Sequence, residues 1–287
     1  MSGKRYEFTG KAFDIPFIHK IGYQAYNHAV PLDFHQHMSG VEITIVLKGS
    51  ADWLVGDGRR YRQPGNTLFI MPEKLNHKGS GNVIFPCHLC WLILDFNAAD
   101  LVFSDKMLQS LRGRLKEQAL QSLLLTPGLR KILEQTVATI KRKRLSPLYH
   151  KELQIEFYAI ILEIMEQLRQ PASPRFSVLR RAEEYIEHNL RKNISVAELA
   201  GACQLSESHF FIRFKEESGL TPLDFVLRKK LGAVEQRLRE SSRSITEIAF
   251  EFGFSSSQYF AVIFKRYFGC SPGQWRKQKG RRSLFIQ

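Results

Sequence analysis

The chain lacks the features that would tie it to a membrane or to export. No stretch approaches eighteen uninterrupted apolar residues, so no bilayer-spanning helix is expected. The opening Met1-Ser2-Gly3-Lys4-Arg5-Tyr6-Glu7 carries no apolar run of signal-peptide type, which makes a cytoplasmic protein without a membrane partner the expectation. Cysteine is scarce, with four residues (Cys87, Cys90, Cys203, Cys270) expected to stay as thiols. Cys87-His88-Leu89-Cys90 has a spacing used in redox and zinc chemistry, but a zinc reading needs a second pair and none exists. The run continues as Trp91-Leu92-Ile93-Leu94 and reads better as a buried strand. Acidic residues are in deficit, 28 Asp and Glu against 42 Lys and Arg, a net charge of +14. Such a surface attracts polyanions, either nucleic acid or an acidic membrane face.

What is present is a core-forming chain of 287 residues, 44% of them hydrophobic and enough for two domains. Its most informative feature is an internal repeat. Ser195-Val196-Ala197-Glu198-Leu199-Ala200 recurs as Ser244-Ile245-Thr246-Glu247-Ile248-Ala249. Phe210, Phe214, Lys215, Gly219 and Pro222 recur as Phe260, Phe264, Lys265, Gly269 and Pro272. The first block repeats at an offset of 49 and the second at 50, so the second copy has one more residue in the turn between its helices. In each copy Ser stands before the helical pattern with Glu three residues on, the signature of a capping box. The first helix then offers Val196, Leu199, Ala200 and Cys203, or Ile245, Ile248, Ala249 and Phe252, as its buried stripe. Gly253 supplies the tight turn in the second copy, where Gln204 stands in the first. Two helices, a short turn and a small residue at the crossing describe a helix-turn-helix, whose second helix can enter the major groove. An ordinary helical hairpin would show the same stripe; repetition, capping and basicity together favour DNA binding.

Before the repeat, residues 28–96 read as short antiparallel strands separated by Gly and Pro, such as Glu42–Leu47 and Thr67–Met71. Beyond residue 100 the texture turns helical, with apolar spacing over 129–143 and 148–169. Leu153, Phe157, Ile160, Ile161, Ile164 and Leu168 suit packing within the N-terminal part or a dimer contact. Gln170-Pro171-Ala172-Ser173-Pro174 suggests a linker. The expected domains are therefore 1–100, a β-barrel; 101–170, a helical segment with a potential role in dimerisation; 171–177, the linker; and 178–287, an all-α DNA-binding domain.

Ile245-Thr246-Glu247-Ile248-Ala249-Phe250-Glu251-Phe252-Gly253-Phe254-Ser255, followed by Tyr259-Phe260, Phe264-Lys265, Gly269, Ser271-Pro272 and Trp275-Arg276, resembles the DNA-binding domain of the AraC/XylS family of bacterial transcription regulators. The resemblance covers about residues 178–279. It implies two helix-turn-helix units joined by a helix over about 223–240, reading consecutive major-groove segments of double-stranded DNA. The residues it places at that interface are Ser206, Glu207, Ser208, His209, Phe211, Ile212 and Lys215 in the first copy. In the second they are Ser256, Ser257, Gln258, Ala261, Val262, Lys265 and Arg266. Family members commonly carry Arg where Ile212 and Val262 stand, and apolar side chains there favour A·T-rich half-sites. Phosphate contacts are expected from Lys215, Lys265, Arg266, the Arg228-Lys229-Lys230 run and Arg276.

His35-Gln36-His37 with Glu42 and Gly49 is similar to the first motif of a cupin, a small double-stranded β-barrel, and Pro64-Gly65 with His77 is similar to a relaxed second motif. Many regulators of the AraC/XylS family carry such a barrel as their sensor. The motif's upstream Gly is replaced by Ala29. His35, His37, Glu42 and His77 could converge on a divalent metal, line a polar ligand pocket, or serve as structural hydrogen-bonding groups. Trp53, Trp91 and Tyr61 could stack on a sugar ring, although Trp91 suits a core position better.

The fold expected is thus α+β and multidomain: an N-terminal cupin-like double-stranded β-barrel and a C-terminal all-α double helix-turn-helix domain. The function expected is a non-enzymatic DNA-binding regulator. It would be an activator with RNA polymerase as partner, dimeric, and responsive to a small molecule such as a sugar bound by His35, His37, Glu42, Trp53 and His77. The competing readings are a metal-dependent cupin enzyme fused to a DNA-binding module and an activator that needs no effector.

Overall fold

A computed structural model describes residues 3–32, 35–36, 40–56, 58–79, 83–142, 147–169 and 177–282. The fold is α+β, with antiparallel sheet in the N-terminal part and helices in the C-terminal part. In chain order the first part holds β1 (Arg5–Phe8), β2 (Ile18–Tyr26), β3 (Val30–Pro31), β4 (Val41–Lys48), β5 (Ser50–Val55) and β6 (Arg60–Pro64). There follow β7 (Thr67–Met71), β8 (His77–Gly79), β9 (Val83–Ile84), β10 (Cys87–Leu94), α1 (Asp105–Glu117), β11 (Ser122–Leu124), α2 (Pro127–Arg142) and α3 (Pro147–Gln167). A six-stranded sheet runs β1-β2-β10-β4-β7-β11, a three-stranded sheet β6-β5-β8, and β3 pairs with β9.

Alternation along the central strand β10 explains the layering. Cys90, Leu92 and Leu94 point into a core shared with α1, α2 and α3, whereas Cys87, Leu89 and Trp91 point into a second core against the smaller sheet. Cys87 and Cys90 thus lie on opposite faces of one strand. Burial pushes both thiols up to about 12, so they act as small apolar side chains. Leu153, Phe157, Ile160, Ile161, Ile164 and Leu168 of α3 all face the sheet core. Segment 101–170 is therefore continuous with the sheet in its packing, and β11 within it adds the sixth strand.

The C-terminal part comprises α4 (Ser177–Asn189), α5 (Val196–Ala202), α6 (Glu207–Ser218), α7 (Pro222–Glu240), α8 (Ile245–Glu251), α9 (Ser257–Phe268) and α10 (Pro272–Arg282). Two separate cores form here. Leu199, Ala200, Phe210, Phe214 and Phe225 anchor the first, and Ile248, Ala249, Phe260, Phe264 and Trp275 the second. Helix α7 contributes its first half to one and its second half to the other, which makes it the spine between the units. The expected linker at 171–177 falls almost wholly outside the described residues.

Candidate nucleic-acid interface and a buried histidine–carboxylate pair

Each copy of the repeat is built from its caps outward. Both capping boxes are formed: the hydroxyls of Ser195 and Ser244 accept from the amides of Glu198 and Glu247, whose carboxylates accept from the amides of Ser195 and Ser244. The extra residue of the second copy lies in the turn, between α8 and α9. Gly253 adopts φ 70°, and Gln204 holds the same left-handed conformation at φ 58° despite its side chain. Ser206 and Ser256 cap the second helix of each unit by accepting from the amides of His209 and Tyr259. Those helices end at Gly219 (φ 68°) and Gly269 (φ 76°), where Pro222 and Pro272 begin the next helix.

The caps and buried phenylalanines orient α6 and α9 alike. With Phe210 and Phe214, or Phe260 and Phe264, fully enclosed, the exposed stripe of α6 runs through Ser208, Phe211, Ile212 and Lys215. The stripe of α9 runs through Gln258, Ala261, Val262 and Lys265, with Ala261 half-buried. Glu207, His209 and Arg266 are exposed beside these stripes, while Ser257 at the start of α9 is half-buried. The hydroxyls of Ser206 and Ser256 accept as caps and keep their own O–H as a donor.

One group of expected phosphate contacts is corrected by the structure. Arg228 is buried, donating to Asp224 and to the carbonyl of Pro86, and Lys230 is buried with its ammonium on the carbonyl of Lys192. Lys229 is held by Glu183 and Glu187. The run lies on the spine helix, whose faces are covered by both units and by the sheet region, so its charges tie the molecule together. Arg276 is half-buried on α10. Lys215, Lys265 and Arg266 remain exposed for phosphate.

The sheet region grips both units near the C-terminal ends of α6 and α9. The Gly65 amide donates to the Ser218 carbonyl (2.9 Å), and the Ala29 amide to the Tyr267 carbonyl (2.5 Å). Phe85 packs edge-on against Phe268 with centroids 5.3 Å apart. Arg62 bridges the two parts, donating twice to Asp52 and once to Glu183 on α4. Sequence reasoning missed this seam, because its residues are scattered over loops, strands and helices with no shared pattern.

The N-terminal candidates are partly brought together. One ligand atom each of His35, Glu42 and His77 lie within 4.8 Å of one another. His77 is clamped: Nδ1 sits 2.9 Å from the Leu75 carbonyl and Nε2 2.8 Å from the Glu42 carboxylate. Burial disfavours its charged form, but the Glu42 bond and charge prevail and raise its pKa above the ordinary histidine value. With Nδ1 fixed by a carbonyl, Nε2 is the atom aimed at Glu42, an orientation that also suits a metal-ligating imidazole. His37 lies outside the described residues. Trp53 is enclosed, its Nε1 donating to Gln63 (2.9 Å) and its ring 6.1 Å from that of His77. Trp91 is buried as well, and Tyr61 is half-buried against Phe69.

Two helix-turn-helix units on one spine, each presenting its second helix, define a tandem DNA-binding module. Residues 199–278 match a family model described as a helix-turn-helix domain. The chain is 39% identical over 94 residues to the "Probable transcriptional regulator LumQ" of Photobacterium leiognathi, covering 33% of this chain and 38% of that protein. It is 24% identical over 244 residues to the XylDLEGF operon transcriptional activator of Pseudomonas putida, covering 82% of this chain and 74% of that protein. It is 26% identical over 244 residues to the virulence regulon transcriptional activator VirF of Yersinia enterocolitica, covering 82% and 88%. The chain thus spans well under half of LumQ and about three-quarters or more of the other two. Its helix-turn-helix region is also 34% identical over 100 residues to the "Putative AraC-like transcription regulator" of Streptomyces antibioticus, covering 35% of this chain and 33% of that protein.

Proposed function

We propose that the chain is a sequence-specific, DNA-binding transcription regulator whose sheet region senses a small molecule. The observation that carries this reading is the matched presentation of α6 and α9, capped at their exposed N-terminal ends and followed by Lys215 and Lys265. Recognition helices read bases from their first turns, and cations further along hold the phosphates. The two relatives matched over most of their length are named transcriptional activators, which supports an activating output; such an output would need RNA polymerase as partner.

The seam supports the sensing half of the proposal. A cavity of about 620 Å³ opens there, lined in part by Asp52, Tyr61, Glu183, Glu187, Lys229 and Gln236. Its mixed charges suit a small polar molecule such as a sugar, and binding there would alter the grip on α4 and α7 directly. A dimer is the third element. On α3 the outward face carries Leu148, Ile155 and Leu162, spaced by seven and exposed, which supports contact with a second copy. The test is fluorescence anisotropy of the full chain on labelled duplex from the control region of its neighbouring genes. Affinity that falls steeply with salt and exceeds that for scrambled duplex is expected. Equal affinity for both duplexes would overturn the proposal. A thermal-shift screen of sugars and related metabolites tests the sensing half, the expected result being a raised melting temperature that Glu187→Ala abolishes.

A further inference from the structure

Apolar side chains recur at equivalent exposed positions of α6 and α9, although the residues around them differ. Phe211, Ile212 and Val262 are 38%, 57% and 66% exposed, and Ala261 is half-buried beside Val262. Their neighbours change between the copies: Ser208 becomes Gln258, His209 becomes Tyr259 and Glu216 becomes Arg266. Packing does not account for exposed apolar groups at the middle of both stripes, since the cores beneath are closed by Phe210, Phe214, Phe260 and Phe264. Arg213, which follows Ile212 on α6, pairs with Glu217 at 3.5 Å. Arg266 belongs to the last turns of α9, where a groove-bound helix meets the backbone.

A major groove offers few features to such a surface. Guanine presents two acceptors, which need a donor fork, whereas thymine presents a methyl group that rewards apolar contact. We infer that this chain reads thymine methyls, through Phe211 and Ile212 in one groove segment and Ala261 and Val262 in the next. Gln258, one turn before Val262, pairs with adenine in the second segment. The inference rests on the proposed function, since it requires α6 and α9 to be the groove-entering helices. The first segment depends on methyls more strongly, because Phe211 and Ile212 present more apolar surface than Ala261 and Val262.

The test is selection of bound duplexes from a random library by the full chain, then replacement of single thymines by deoxyuridine in the selected site. Deoxyuridine removes only the methyl. At a contacted position, affinity should fall about fourfold, equivalent to ~0.8 kcal/mol for one buried methyl. Ile212→Ala and Val262→Ala should each reduce the penalty in its own segment while leaving the other intact. Their melting temperatures report whether the fold survives. Val262→Arg should shift selection toward guanine in the second segment. Selected sites dominated by guanine, or sites indifferent to deoxyuridine, would overturn the inference and leave the proposed function standing. Failure to enrich any sequence would overturn both.

Discussion

Glu183→Gln should loosen the hold of the sheet region on the first helical unit without unfolding either. The Arg62 guanidinium donates to both oxygens of Asp52 at 2.8 and 3.0 Å, reaches Glu183 at 3.2 Å and stacks 4.6 Å over Phe225. Burial opposes ionisation of Asp52, yet the charge and hydrogen bonds of Arg62 prevail and hold its carboxyl below the usual range. The substitution would leave that pair intact and weaken two charge-assisted contacts, from Arg62 and from Lys229 (3.0 Å), while Lys229 keeps Glu187 at 2.7 Å. Such a bond contributes about 1.5–3 kcal/mol. The Glu183 side chain is 24% exposed, so screening reduces the expected loss to about 1 kcal/mol. Arg62→Met is a different perturbation, because it strands the half-buried Asp52 carboxylate, and after the same allowance for screening it should cost about 2 kcal/mol. In that background Glu183→Gln should cost much less, a coupling of about 1 kcal/mol. Urea unfolding gives the energies, and amide hydrogen exchange gives the location. The Gly65 amide, bonded to Ser218 at the same seam, should exchange about fivefold faster in Glu183→Gln. An equal cost in both backgrounds, or an unchanged Gly65 amide, would refute the reasoning.

Further predictions concern the repeat and the surface. Gln204→Gly should stabilise the chain by about 0.5–1 kcal/mol in thermal or urea unfolding, because Gln204 sits at φ 58° where its partner Gly253 is at ease. Glu251 gathers Arg237, Arg243 and Arg191. Burial opposes its charge, but the Arg237 bond and the surrounding cations lower its pKa. A lowered pKa gives stability that is complete above the unfolded value of about 4.3 and is lost as pH falls through the folded one. Glu251→Gln should therefore cost about 1–2 kcal/mol at neutral pH, with the gap from the parent chain closing on the acid side of pH 4 in a series of melts. Lys215→Ala and Lys265→Ala should each reduce the salt slope of DNA binding by about one, without changing the preferred sequence. Ile155→Glu should move the chain toward monomer in sedimentation velocity while leaving its melting temperature within a few degrees, since the residue is exposed on α3.

The repeat was legible because it is built from local rules. A capping serine, a glutamate three residues on, a small crossing residue and a terminal glycine each act within one or two turns, so their spacing survives in the sequence. The one-residue difference in offset even located the longer turn between α8 and α9. The N-terminal part was less legible for the opposite reason. Gly22 interrupts the pattern of β2, yet it is there because the Trp91 ring of the adjacent strand occupies the space a Cβ would take. The β2 strand and its partner β1 were missed accordingly. The Arg228-Lys229-Lys230 run was misread because three consecutive cations signal a solvated face. Their partners are the carboxylates of Asp224, Glu183 and Glu187 and the carbonyl of Lys192 within the helical part, and the carbonyl of Pro86 in the sheet region.

The contacts of this chain divide into local and long-range ones, a division that bears on how it would respond to a ligand. Contacts within a unit are short in sequence and set by turns and caps. The seam joins residues more than a hundred positions apart, as with Arg62 to Glu183 and Arg228 to Pro86. It consists of a few backbone hydrogen bonds, one aromatic pair and a small ion network around a polar cavity. The first unit keeps its own core, whereas Ala29 and Phe85 of the sheet region complete that of the second, so opening the seam would uncover the Phe85–Phe268 contact and leave most of both cores covered. A ligand that favours one seam geometry by only about 1–3 kcal/mol could then change the relative placement of the recognition helices by a shift in population. Both helices are held near their C-terminal ends, at Ser218 and Tyr267. A small rotation there would sweep the N-terminal ends, which carry the base-reading side chains, through the largest arc.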